Sequence, residues 1–179
     1  MELEKVCKNY INFFMRLFSN QNKMSRFGKK LKKNFDRISI FYRKNEKLCL
    51  VPVGEWKPFH VDVDIEPVLI IDLPITADEL KKQIQKCFNL CWTSVNNHVR
   101  KSMHEKQEPS PIEKALEYKN FTEVVKNYDS CNLVFQKKTK IFTFTKSQKA
   151  KTFHYYEGTE FEYSWESIDY GFILQLIQN

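Results

Sequence analysis

Residues 33–52 read KNFDRISIFYRKNEKLCLVP, and residues 126–144 read KNYDSCNLVFQKKTKIFTF. Within the first, RISIFY (37–42) and KLCLVPV (47–53) are rich in β-branched and aromatic residues, which suit a pleated, half-buried surface. The RKNE between them is polar and reads as a turn, so the stretch predicts a β-hairpin. The second stretch repeats it. Shifted by 93 positions, Lys33, Asn34, Phe35 and Asp36 fall on Lys126, Asn127, Tyr128 and Asp129. Ile38, Ile40 and Tyr42 fall on Cys131, Leu133 and Phe135, Lys44 and Lys47 on Lys137 and Lys140, and Leu48 and Val51 on Ile141 and Phe144. After one residue of slippage, Phe59-His60 falls on Phe153-His154. Matches that keep both the alternation and the turn are the pattern of a duplicated unit.

Working outward, Phe27 to Lys33 and Phe121 to Tyr128 predict a short helix ahead of each hairpin, and Lys57 to Leu73 predicts one or two further strands. VLIIDLP (68–74) is apolar enough for a central strand. Thr76-Ala-Asp-Glu79 is a capping box, in which the Thr side chain accepts from the N3 amide while Glu79 reaches back. Leu80, Ile84, Cys87, Phe88, Cys91 and Val95 follow as one helical stripe that belongs to the core. KSMHEKQEPSP (101–111) is a polar linker, and Ser110-Pro-Ile-Glu113 is a second capping box with proline at the first helical position. Val6, Tyr10, Phe13, Phe14 and Leu17 recur at helical spacing, predicting an N-terminal amphipathic helix.

The expected fold is therefore α+β, with two similar halves (an internal repeat), each a short helix plus hairpin and strands. A capped helix follows the first half. The predicted boundaries are 1–22 for the N-terminal helix, 23–100 for the first α+β repeat, 101–111 for the linker and 112–179 for the second repeat.

Composition supports a folded protein: 42% hydrophobic and 15% aromatic residues supply a core, and 28% charged residues supply a solvated surface. Glu2 and Glu4 spoil the basic region of a signal peptide, and the apolar run ending at Leu17 is too short to cross a bilayer. Five cysteines, odd in number and with no CxxC pair, fit a reducing compartment. The expected location is the cytoplasm, with no stable membrane insertion. Cys87 and Cys91 with His98 are better read as buried thiols than as a metal site. No cofactor is expected.

The net charge of +7 would ordinarily point to nucleic acid, but the positive residues crowd the first part of the chain, from Lys23 to Lys47. Two stretches, Pro58–Leu80 and Tyr155–Asn179, hold no Lys or Arg. In the first, Asp62, Asp64 and Glu66 alternate with Val61, Val63 and Ile65, which on a strand puts three carboxylates on one face. In the second, Glu160 and Glu162 alternate with Phe161 and Tyr163. Like charges along a face call for opposition, supplied either by cations of this chain or by a basic partner protein. The candidate partner surface is Asp62, Asp64, Glu66, Glu157, Glu160, Glu162 and Glu166, with Trp56, Tyr155, Tyr156 and Trp165 as aromatic anchors.

FGKKLKKNFDRISIFYRKNEKLCLVP (27–52) and IEPVLIIDLPITADELKKQIQKCFNLC (65–91) resemble one family of contact-dependent growth inhibition immunity proteins, the CdiI proteins. Ser39, Ile40, Pro52, Asp72, Pro74, Thr76, Glu79 and Leu80 carry the likeness, which spans about Met24 to Cys91 and, more weakly, Phe121 to Phe144. The resemblance implies a small bacterial cytosolic protein that binds the C-terminal toxin domain of a related cell's surface effector. Such a protein blocks the toxin stoichiometrically and is not an enzyme. A net +7 departs from the acidic balance usual against nuclease toxins, so either the acidic strands form a local face that does the work, or the toxin is itself acidic or differently targeted.

Two other readings rest on the basic residues. His60 and His154, each three residues after Lys57 or Lys151, would suit a small ribonuclease. Lys29, Lys30, Lys32 and Lys33 would suit a nucleic-acid binder. A duplicated strand already explains the paired histidines, and no Ser–His–Asp, P-loop or HExxH spacing is present. Nucleic acid is therefore not the expected partner.

Overall fold

The computed structural model describes residues 34–56, 61–92, 95–96, 109–149, 154–155, 160–164 and 167–178, with backbone alone for Trp56, Val95, Asn96, His154, Tyr155 and Glu160. The expected N-terminal helix, the basic helix at 27–33 and the linker as far as 108 lie outside the described residues.

Both hairpins form. β1 (Phe35–Arg43) and β2 (Lys47–Trp56) pair antiparallel from Ile38↔Pro52 to Arg43↔Lys47. At their turn Asn45 takes φ 57°, a left-handed conformation that asparagine tolerates better than most residues. β6 (Asp129–Gln136) and β7 (Ile141–Lys146) make the second hairpin. Three residues separate Arg43 from Lys47, and four separate Gln136 from Ile141. The offset that overlays the hairpins therefore becomes 94 beyond the turns, which corrects the expected Leu48–Ile141 and Val51–Phe144 matches. Leu48 and Leu50 correspond instead to Phe142 and Phe144, and all four are buried.

The hairpins join through their first strands, which pair antiparallel from Phe35↔Gln136 to Tyr42↔Asp129, with Ser39 opposite Asn132 in mid-ladder. β3 (Val61–Asp64) pairs with the second half of β2, and β10 (Glu160–Ser164) with β7. The main order is β10-β7-β6-β1-β2-β3. β4 (Leu69–Asp72) and the two-residue β5 (Val95–Asn96) also pair with β2, while β8 (Gln148–Lys149) and β9 (His154–Tyr155) form a small ladder apart.

Period-two alternation gives the sheet two apolar surfaces. On one, Ile38, Ile40, Leu48, Leu50, Leu133, Phe142 and Phe144 meet α1 (Ala77–Leu90) and α4 (Tyr170–Gln178). On the other, Phe41, Cys49 and Val51 meet α2 (Pro111–Leu116) and α3 (Phe121–Asn127) through Ile112 and Val124. Each fully buried aliphatic or Phe side chain contributes about 1.5–3 kcal/mol from the water it leaves.

The helices start where their caps predict. Thr76 Oγ1 accepts from the Glu79 amide at 3.2 Å, while the Glu79 carboxylate accepts from Gln83. Ser110 and Glu113 close the full box, at 3.4 Å from the Glu113 amide to Ser110 Oγ and 2.6 Å from the Ser110 amide to Glu113 Oε2. The α1 stripe runs from Leu80 to Cys91 and stops there; Val95, expected on it, lies in β5. The break comes at Trp92, whose φ of 64° turns the chain and whose amide donates to Val53 O.

VLIIDLP was expected to be central, and it is not. Among the described residues β4 pairs with β2 alone, with Leu69 and Ile71 against the core and Ile70 42% exposed. Pro67 and Pro74 bracket the segment and shorten the strand to four residues, as proline does at sheet edges.

Candidate functional site

Residues paired across a ladder share a face, so the registers place a polar row across the sheet. Glu162 pairs with Thr143, Thr143 with Val134, and Val134 with Arg37. One step along, Glu160 pairs with Thr145, Thr145 with Asn132, and Asn132 with Ser39. Asp62 and Asp64 of β3 come to the same row from the opposite end of the sheet. The two acidic stretches thus terminate one sheet at its two ends.

At the β3 end the carboxylates are answered from within the chain. Ser39 Oγ donates to Asp64 Oδ1 at 2.8 Å, and Arg37 Nη1 lies 3.7 Å from Asp62 Oδ2. Strands two places apart in a flat sheet are separated by about 9–10 Å, too far for a serine to bridge. The second half of β2, which leaves β1 after Pro52, therefore curls β3 toward β1. Burial pushes the Asp64 carboxyl above its ordinary range, opposed in part by the Ser39 hydrogen bond and by Arg37. Among the described residues, Arg37 Nε and Asn132 Oδ1 are buried without hydrogen-bond partners.

The expected outward face of three carboxylates is therefore corrected. On this strand Val61 is the exposed residue, at 38%, whereas Asp62, Val63 and Asp64 are half-buried. Glu66 lies past the strand's end, beyond buried Ile65, and pairs with Lys114 of α2 at 3.2 Å. The physical reason is the reach of Arg37 and Ser39 from β1, which alternation within a single strand does not disclose.

The β10 end differs. Phe161 and Tyr163 pack on the main apolar cluster, with Phe161 against Phe172 of α4 at 5.4 Å between ring centroids, and Glu162 is exposed. This is the alternation expected for the strand. Across the ladder Glu162 pairs with Thr143, and the Glu160 position pairs with Thr145. For Trp56, His154, Tyr155 and Glu160 the structure describes strand positions only, and His60, Tyr156, Glu157, Trp165 and Glu166 lie outside the described residues.

The cysteines are core groups. Cys91 Sγ donates to Arg37 O at 3.2 Å, and burial pushes its thiol up to about 11. Burial also raises Cys49, to about 12, and raises Cys87 and Cys131. Thiols held protonated are poor nucleophiles and metal ligands. Among the described residues no group of three or more His, Cys, Asp or Glu is arranged to hold a metal ion. Ser39 Oγ donates to Asp64 Oδ1, which ties β1 to β3.

Arg37, Asn132, Thr143 and Thr145 were not singled out from the sequence, and Ser39 entered only through the family likeness. The signal was available in the alternation itself: polar Arg37 and Ser39 interleave with Ile38 and Ile40, as Ser130 and Asn132 do with Cys131 and Leu133.

The class these features define is a mixed α+β protein whose antiparallel sheet is flanked, among the described residues, by four helices. No protein-family model matches the chain, and no curated protein does. Among solved structures the chain is similar to NMB0488 from Neisseria meningitidis, a protein of unknown function, with a TM-score of 0.54 and 11% sequence identity. The likeness covers 80% of this chain and 93% of that one, and it shows the fold alone. Among the described residues no helix is long and apolar enough to cross a membrane.

Proposed function

We propose that this chain is an immunity protein of the contact-dependent growth inhibition type. It binds the C-terminal toxin domain of a surface effector in the cytoplasm, one to one, and blocks it without chemistry of its own. The observation that carries the reading is the exposed Glu162 on β10, at the end of the sheet, within a stretch from Tyr155 to Asn179 that has no Lys or Arg. Complementary potential of this kind speeds encounter and fixes register. Glu160 and Glu162 form the docking strand, with Glu157, Glu166, Tyr155, Tyr156 and Trp165 from the flanking sequence. Asp62, Asp64 and Glu66 leave the docking set because this chain's own groups answer them, and Trp56, beside Val61 in the β2–β3 ladder, leaves with them.

Two similar halves belong to the same reading. Support comes from Ser39, whose counterpart at the 93-residue offset is Asn132, its partner in the β1–β6 ladder. A two-fold relation between copies requires such self-correspondence at its axis. Each half supplies one end of the sheet, and among the described residues the exposed Glu162 stands at one of them.

The test is co-expression with the C-terminal domain of a large surface effector encoded next to this gene. The expected result is restored growth and a one-to-one complex on size-exclusion chromatography. A toxin that stays active and elutes alone would overturn the proposal.

A further inference from the structure

We infer that β10 is a pairing edge, and that the partner supplies an extended segment of alternating basic and apolar residues that lies beside it as the next strand. This deepens the proposed reading of the chain as a protein-binding inhibitor and rests on it. Among the described residues β10 pairs with β7 alone, and none of them pairs with the other side of its backbone. Proteins usually blunt such edges with lysine or proline. Neither occurs between Tyr155 and Asn179, whereas Pro67 and Pro74 bracket β4 and the β3 carboxylates are engaged inward.

The side chains of β10 state what the added strand must carry. Beside the exposed Glu162 it needs Lys or Arg, because opposite charges across a strand pair attract and like charges repel. Beside Phe161 and Tyr163 it needs apolar residues, which extend the ring cluster of Phe144, Phe161 and Phe172. A second copy of this chain is a poor occupant, since β10 against β10 would set glutamates against glutamates. Main-chain hydrogen bonds supply affinity in this mode, and alternate side chains supply selectivity.

The probe is an eleven-residue peptide of alternating lysine and valine, titrated into the full-length protein by fluorescence anisotropy, with hydrogen exchange followed at residues 160–164. The expected result is saturable binding that slows exchange at those amides. Glu162→Lys should weaken it about tenfold, the scale of one cross-strand attraction turned to repulsion. A peptide with glutamate in place of lysine should not bind. Binding that leaves residues 160–164 unprotected, or that ignores Glu162→Lys, would overturn the inference, as would self-association lost on the same substitution. Neutralisation of the toxin with no effect of Glu162→Lys would sink the edge mode and leave the proposed function standing. Peptide binding without any toxin neutralised would do the reverse.

Discussion

β3 and β10 are written with the same alternation of acid and apolar residue, and they close the same sheet at its two ends. They nevertheless use their carboxylates in opposite ways. On β3 the acids turn inward to Arg37 and Ser39, and a valine is left exposed. On β10 the aromatics turn inward and Glu162 stays exposed. The difference lies in the neighbouring strands. β2 curls and brings β3 within reach of β1's polar positions, whereas β7 offers β10 only Thr143 and Thr145. An acidic strand is thus a fastening in one place and a candidate contact surface in the other.

The comparison breaks most visibly if charge is reversed on β3. Asp64→Lys removes the acceptor of Ser39 and sets a second cation beside Arg37. It should cost about 3 kcal/mol or more, the scale for an uncompensated buried charge. Urea unfolding of the purified protein reads this directly, and a loss below 1 kcal/mol would mean that Asp64 is not fastened. Ser39→Ala leaves the same carboxyl without its donor and should cost about 1–2 kcal/mol.

Protonation sharpens the contrast further. Because folding raises the Asp64 pKa, the folded state holds that proton more tightly than the unfolded chain does. Its contribution is full below the unfolded value near 3.8 and is lost as pH rises through the higher folded value. Asp64→Asn should therefore gain stability relative to the parent as pH rises through that range. A difference between the two proteins that stays flat with pH, in paired urea titrations, would contradict the burial. The smallest stability effect belongs to Glu66→Ala, which removes a solvent-exposed pair with Lys114 and should cost no more than about 1 kcal/mol.

How far the sequence disclosed this can be told residue by residue. RISIFY, KLCLVPV and both Ser/Thr caps announced their elements because strand alternation and capping are local physics. The polar row did not announce itself. It exists only once Val134 lies beside Arg37 and Asn132 beside Ser39, and register between distant strands is not a local property. For the same reason Asp62 and Glu162 looked alike: periodicity tells which residues share a face, and not what that face meets. VLIIDLP misled differently. Its apolar content suggested a central strand, but the flanking prolines shorten it, and alternate positions suffice to cover the core from an edge.

One charge reversal at each end, Asp64→Lys and Glu162→Lys, tests this division most directly, each variant being measured for unfolding free energy and for affinity toward the proposed toxin partner. The account predicts that Glu162→Lys leaves stability within about 0.5 kcal/mol while weakening the complex about tenfold, and that Asp64→Lys chiefly lowers stability. Loss of the complex from a still-folded Asp64→Lys protein, with Glu162→Lys binding as tightly as the parent, would contradict it.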